Sequence, residues 1–345
     1  MRLGVVAALA TAFGFASGCS AILGIPGEVT VGGGVDSGPT PSEAGTDAPL
    51  SDGGTDSAKT DAPTDAPVDA RPPTCDPSKP FGAPTMITTL SSAEFEGSPR
   101  VSEDELTVYL DAVRAPGAPT FDLYQATRTT VTDSFGPLVP IPSVDGTINS
   151  ANDEYAPTIG DKGLVLFFER YDFATTNNDL YIATRTSTAL PFGTATGVFA
   201  LNSGNFEGNP YLNPSATEVW YTRVAGGNAD IWMAKREPGV GYTTAKVTEV
   251  SGLLNDYNPV ISSDELTLYF ASQRPGSSAG IDGNVWLATR TSPTGTFSAP
   301  TELVQVNTTA DEYPASVSAD GCRLYLVSKR PGLGLQDIYV AAKPK

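Results

Sequence analysis

Histidine is absent from the 345 residues, and only three cysteines are present. The first absence excludes a Ser-His-Asp or Cys-His catalytic set and any histidine-ligated metal. The second excludes a scaffold built mainly on disulfides. Basic residues are scarce, 21 against 39 acids, and the formal charge of −18 argues against nucleic acid or anionic membrane surfaces as partners. Long apolar runs are nearly missing. The one candidate, Gly4 to Ala16, covers 13 residues and is too short to cross a bilayer. A phosphate-binding loop is missing too, because Gly32-Gly33-Gly34 has neither a strand nor a helix pattern around it. Glycine and proline are abundant, at 35 and 29 residues, which favours turns over long helices.

Residues 1–18 read as an address. Arg2 supplies a basic start and the apolar run that follows has the length of a signal-peptide core. The run closes on Ala16-Ser17-Gly18-Cys19, which resembles a bacterial lipobox with Ala16 in place of the more usual leucine. That resemblance implies acylation of Cys19. With Ser20 next, it implies release to the outer membrane or cell surface. An ordinary secretory peptide, leaving Cys19 unmodified, is the alternative. Residues 20–74 hold no aromatic side chain, nine acids and two bases, with Asp-Ala-Pro recurring at Asp47, Asp61 and Asp65. Such a segment buries too little apolar surface to offset the entropy of ordering it. Residues 19–74 are therefore expected to form a disordered tether, and 75–345 the folded domain.

One pattern recurs five times in that domain. The copies open EGSPRVSEDELTVYL at Glu96, EYAPTIGDKGLVLFF at Glu154, EGNPYLNPSATEVWY at Glu207, DYNPVISSDELTLYF at Asp256 and DEYPASVSADGCRLYL at Asp311. They continue FDLYQATR at Phe121, NDLYIATR at Asn178, ADIWMAKR at Ala229, GNVWLATR at Gly283 and QDIYVAAK at Gln336. The marker prolines, Pro99, Pro157, Pro210, Pro259 and Pro314, are 58, 53, 49 and 55 residues apart. Each copy holds strand-like segments of period two bounded by Gly, Pro, Asn or Asp. A further extended segment, such as FSAPTEL at Phe297, runs between copies. Four strands per unit, repeated radially, make a propeller blade. The expected fold is all-β, a five-bladed propeller of four-stranded antiparallel blades. Six blades, one of them degenerate, is the alternative.

The acid-x-x-Pro, the Ser-x-Asp-Glu-Leu turn at Ser102 and Ser263, the Leu-Tyr-Phe strand, the Arg-Pro-Gly loop and the Asp-Ile-Tyr/Trp strand together resemble the TolB-type, WD40-like propeller repeat. The resemblance covers about residues 81–343. It implies a propeller that binds protein partners at the bacterial envelope. The N-terminal domain of TolB proteins has no counterpart here, so a Tol-system role does not transfer.

A ring must be closed. The fifth copy stops after its third strand, and Phe81-Gly82-Ala83-Pro84-Thr85 resembles the segment at Phe297. Residues 81–90 are therefore expected to supply the last strand of the fifth blade, which leaves no long unpaired edge. Cys75 precedes that strand, and Cys322 sits at a turn of the same blade. A Cys75–Cys322 disulfide is expected in an oxidising compartment. Two free thiols at opposite ends of a strand are the alternative.

Strand order places three sets of polar residues at one face. Glu96, Glu154, Glu207, Asp256 and Asp311 open the first strands. Arg114, Arg170, Arg223, Arg274 and Arg330 end the second. Asp122, Asp179, Asp230, Asn284 and Asp337 open the third. Arginine held between carboxylates fixes turns, so these sets read first as architecture. The functional alternative is a ring of acids at the channel mouth that attracts a divalent cation. No other cofactor is implied. Asymmetry lies in the loops, and Tyr171, Phe173, Asn177 and Asn178 form a candidate binding loop. No catalytic residue stands out. The expected role is a monomeric, lipid-anchored, non-catalytic module that binds an envelope protein or a peptidoglycan-associated partner. A propeller that binds or hydrolyses glycans with paired carboxylates is the alternative. An acidic pair placed asymmetrically in the channel would favour the enzyme, and an apolar patch on the loop face a protein partner.

Overall fold

The computed structural model describes residues 75–114, 120–276 and 283–345. The expected signal peptide, the expected acylation site Cys19 and the expected tether lie outside the described residues. The chain divides into two units, 1–65 and 66–345, and the second contains every described residue.

Twenty strands form five four-stranded sheets. The first blade is β2 (Glu96–Val101), β3 (Thr107–Ala112), β4 (Asp122–Thr127) and β5 (Val139–Pro140). The second is β6 (Asp153–Gly160), β7 (Val165–Asp172), β8 (Asn177–Thr184) and β9 (Thr196–Gly197). The third is β10 (Glu207–Leu212), β11 (Glu218–Ala225), β12 (Asn228–Glu237) and β13 (Gly241–Lys246). The fourth is β14 (Asp256–Ile261), β15 (Thr267–Ser272), β16 (Asn284–Thr289) and β17 (Thr301–Glu302). The fifth is β18 (Glu312–Val317), β19 (Arg323–Ser328), β20 (Asp337–Ala342) and, from the other end of the chain, β1 (Thr85–Met86). All pairings within blades are antiparallel. The fold is a five-bladed β-propeller. Among the described residues there is no sixth, degenerate blade.

Closure runs as the repeats demand. Thr85 faces Val340 and Met86 faces Tyr339. Gly82 N donates to Ala342 O at 2.8 Å, and Ile87 N to Ile338 O at 2.8 Å. The Cys75–Cys322 disulfide joins this closing segment to the turn between β18 and β19, with Cα atoms 5.7 Å apart.

The inner strands read as consecutive apolar residues because both faces of a blade are covered by neighbouring blades. Val108, Tyr109 and Leu110 of β3 are all buried. Tyr109 and Leu123 of blade 1 pack with Leu166, Phe168 and Ala183 of blade 2. Val260, Tyr269 and Val285 of blade 4 pack with Val317, Leu324 and Leu326 of blade 5. The core is thus five seams between blades, not one central cluster.

Every first strand carries a bulge near its start. In four blades the bulge residue is left-handed, with φ of 45° at Ser98, 48° at Ala156, 50° at Asn209 and 52° at Asn258. The proline that follows is the repeat's marker. The fifth copy is offset by one residue. Glu312 faces Ser328 as Asp256 faces Ser272, so Glu312 opens β18 and Pro314 takes the bulge position itself. A proline ring fixes φ near −65°, so this bulge is not left-handed. The sequence expectation that Asp311 holds the first acidic position is corrected by this register.

Candidate functional site

The first acids and the arginines form clamps inside the blades, with Glu312 in place of Asp311 in the fifth. Glu96, Glu154, Glu207 and Asp256 are fully buried. Arg114 lies 3.4 Å from Glu96, Arg170 2.8 Å from Glu154, Arg223 3.0 Å from Glu207 and Arg274 2.7 Å from Asp256. Arg330 pairs instead with Glu312, at 3.1 Å. Asp311 pairs with Lys329, at 3.1 Å. Ser92, Ser150, Ser203 and Thr308, each four residues upstream, cap the acids of blades 1, 2, 3 and 5 through side chain and backbone. In blade 4 the backbone N–H of Gly252 does so alone, at 2.7 Å.

The arginines also stack on the aromatic residues of the third strands. Arg170 lies over Tyr181, Arg223 over Trp232, Arg274 over Trp286 and Arg330 over Tyr339, at 4.2–5.3 Å from the ring centres. This accounts for the Asp-Ile-Tyr/Trp signature as cation–π packing. The third set sits opposite the ends of the second strands. Asp122 faces Ala112, Asp179 faces Arg170, Asp230 faces Arg223, Asn284 faces Ser272 and Asp337 faces Ser328. Asp230 pairs with Lys246 at 2.7 Å, and Asp337 accepts the N–H of Leu333 at 2.8 Å. Burial raises the pKa of Glu96, Glu154 and Glu207, against the lowering effect of their serine caps. Each first acid is turned into its own blade's clamp, as the architectural reading expects, rather than toward a ring at the channel mouth. Among the described residues no group of three or more His, Cys, Asp or Glu side chains is arranged to hold a metal ion.

The candidate binding loop is tighter than its composition suggests. Tyr171 and Asp172 end β7, and Asn177 and Asn178 begin β8, leaving a four-residue turn at 173–176. Asn177 donates to Asp179 at 3.2 Å and to Ser203 O at 3.3 Å, and Asn178 donates to Glu169. Tyr171 packs edge-on against Phe173, ring centres 5.5 Å apart. Only Phe173 of the four is exposed.

Sequence reasoning missed the most asymmetric feature. Asp111 and Glu169 occupy equivalent positions on β3 and β7, where blades 3, 4 and 5 have Thr222, Ala271 and Val327. Both carboxylates are buried. Asp111 accepts the N–H of Ala156 at 3.0 Å, and Glu169 that of Asn209 at 2.8 Å. Each bulge N–H is thus caught by a carboxylate of the preceding blade. Thr222 does the same for Asn258 with its hydroxyl, at 3.2 Å. Gly208 leaves room for the Glu169 carboxylate, since a Cβ there would overlap it. Burial pushes the pKa of Asp111 up to about 6 and of Glu169 up to about 7, and for Glu169 the neighbouring Asp111 adds to the rise. Tyr155 lies against both acids and Asp153, to which its hydroxyl donates at 3.1 Å. Its ionisation is pushed far above the usual range, by burial first and these acids second.

Below this level the channel is crossed by side chains. Arg100 of blade 1 lies over the Tyr211 ring of blade 3 at 4.9 Å and reaches Pro210 O at 3.5 Å. Blades 1 and 3 are not neighbours, so this contact spans the axis. Burial lowers the Arg100 pKa to about 10, so it remains a cation at neutral pH.

The same loop face carries exposed apolar side chains. Leu253, 92% exposed, and Leu254 precede β14, where other blades have Ala-Glu, Ala-Asn, Gly-Asn and Thr-Ala. Leu333 and Leu335 project from the loop between β19 and β20. A hollow of about 390 Å³ lies beside Leu253 and Leu254, lined also by Gly252, Arg274 and Pro275.

No family model matches the sequence, and no curated protein matches it. Solved structures do. The chain is similar to the TolB-type protein of Agrobacterium tumefaciens, with 15% identity over 71% of this chain and 76% of that one and a TM-score of 0.43. It is similar to TolB of Acinetobacter baumannii, with 16% identity, 74% and 56% coverage and a TM-score of 0.42, and so spans little more than half of that protein. It is also similar to a thermostable family-43 glycoside hydrolase, with 13% identity, 73% and 90% coverage and a TM-score of 0.47. These likenesses are of fold alone. Function must be argued from side chains.

Proposed function

We propose that this chain is an extracytoplasmic, lipid-anchored propeller whose loop face binds a protein partner without catalysis. The observation that carries the reading is the set of exposed apolar side chains on that face, led by Leu253 and Leu254 and joined by Phe173, Leu333 and Leu335. In an acidic domain rich in exposed polar loops, apolar residues gathered on one face mark a contact surface. The Cys75–Cys322 bond supports an oxidising compartment. The partner is proposed to be an envelope protein or a peptidoglycan-associated one.

The test is capture from envelope extract, comparing the wild type with a Leu253→Ser, Leu254→Ser variant. The reading expects one protein retained by the wild type and lost by the variant, at unchanged melting temperature. Equal retention by both would refute it.

The Asp111 and Glu169 pair favours a second reading, glycan binding or hydrolysis. Both acids titrate near neutral pH and lie beside Tyr155. Each is committed to a backbone N–H, which ranks this reading second. A glycan array silent for the wild type would dismiss it. A hit abolished by Glu169→Gln would place it first.

A further inference from the structure

Blade 3 ends differently from the other four. The outer strands β1, β5, β9 and β17 are two residues long. Pro84, Pro140 and Pro300 stand in or beside three of them, and Gly197 is part of the fourth. β13 is six residues long, contains no proline and pairs with β12 along its whole length. It is the last strand of its sheet, and five of its six residues are exposed.

The phase of the ladder tells which backbone groups are free. Val247 N donates to Ile231 O at 2.9 Å, so residue 247 turns its backbone toward β12. Alternation along an antiparallel strand then turns Gly241, Thr243 and Ala245 the same way. Tyr242, Thr244 and Lys246 turn their N–H and C=O groups outward. They form a regular row about 13 Å long. An edge of this kind is a template for another strand, and proteins ordinarily blunt it. Four blades of this propeller do so and one does not. The exposed cations beside the open edge are Lys235 and Arg236, while Lys246 is already held by Asp230.

We propose that the free edge of β13 accepts an extended acidic segment of a protein partner as a fifth strand of blade 3. Main-chain bonds from Tyr242, Thr244 and Lys246 supply the pairing, and the basic flanks select the charge. The inference rests on the protein-binding reading but uses a surface separate from the loop face.

The edge can be closed without opening the blade. Thr244→Pro removes an N–H that makes no bond to β12, and a proline already stands at such an outward position in blade 1, where Pro140 faces Tyr124 as Lys246 faces Trp232. The variant is expected to keep the wild-type melting temperature to within a few degrees. The probes are a synthetic hexapeptide alternating valine and glutamate and its valine–lysine counterpart, titrated into the full chain by fluorescence anisotropy. The glutamate peptide should saturate, with the lysine peptide weaker by about tenfold or more. Thr244→Pro should abolish binding, and amide exchange should slow at Tyr242, Thr244 and Lys246. No saturation at millimolar peptide, or equal binding by the Thr244→Pro variant, would overturn the proposal. So would self-association of the chain that Thr244→Pro removes, because the occupant would then be a second copy. The Leu253→Ser, Leu254→Ser variant leaves this edge intact. Peptide binding retained there, with partner capture lost, makes the two surfaces independent. Partner capture retained with no peptide binding defeats the edge alone.

Discussion

The seam between blades 2 and 3 and the seam between blades 4 and 5 meet one backbone problem with opposite chemistry. In the first, the left-handed bulge at Asn209 points an N–H into the seam, and buried Glu169 accepts it. In the second, the bulge position is Pro314, which has no N–H, and the position equivalent to Glu169 is Ala271. The difference shows what the carboxylate is for. At the first seam the buried donor is given an acceptor at the cost of burying a charge. Where the donor is deleted, an apolar residue suffices. The closing seam between blades 5 and 1 is a third case. There Glu105 accepts from Arg323 Nε and from Tyr325 Oη, each at 2.7 Å, and lies 3.8 Å from Arg128. At the equivalent turn of blade 4, Glu265 accepts only from Asn213 of blade 3 among the described cross-seam bonds, at 2.8 Å.

The sharpest way to break this comparison is at the closing seam. Glu105→Ala should destabilise by about 3 kcal/mol, because it removes the acceptor of the buried Tyr325 hydroxyl and the bidentate partner of half-buried Arg323. Glu265→Ala should cost about 1 kcal/mol. Equal losses in urea titrations of the two variants would show that closure is not specially reinforced. Next comes pH. Asp111 and Glu169 have raised pKa values in the folded state, so the native protein holds protons that the unfolded chain releases. Their contribution is complete below about pH 4 and is lost as pH rises through about 6 and 7. Stability should therefore fall between pH 4 and pH 8, on the order of 2 kcal/mol per carboxylate. Glu96, Glu154 and Glu207 shift in the same direction. Glu169→Gln keeps an acceptor and should flatten part of the slope, read from melting temperatures at pH 5 and pH 8. An unchanged slope would remove Glu169 from the account. The smallest effect is expected at Thr222→Val, about 1 kcal/mol, from the orphaned N–H of Asn258. A neutral result there would mean that the bulge N–H needs no acceptor.

Much of this was legible in the residues. Five copies with one internal order give five blades, and a fifth copy lacking its last strand calls for the segment near Phe81. The two cysteines fall in the same blade for the same reason. The register of the fifth copy was not legible. Asp311 and Glu312 are adjacent acids, and only pairing with β19 shows which one Arg330 holds. Asp111 and Glu169 were passed over because they are not repeated. Their signal was a charged residue in a strand whose other inward positions are apolar. A residue present in every blade builds the blade, whereas one present in two reports a local need. The open edge of blade 3 was also visible, as YTTAKV without the proline that three of its four counterparts carry.

The disulfide has a consequence for load. The chain enters the domain at Cys75, and the strand that follows, β1, is held by two residue pairs. A pull exerted through the preceding segment would, without the bond, unzip β1 from β20 and open the ring one pair at a time. With the bond, the force passes at Cys75 directly into the turn between β18 and β19. Those strands are joined by five residue pairs, so the load meets more bonds there than the two pairs that hold β1. The two-residue strand that closes the ring is thus relieved of tension.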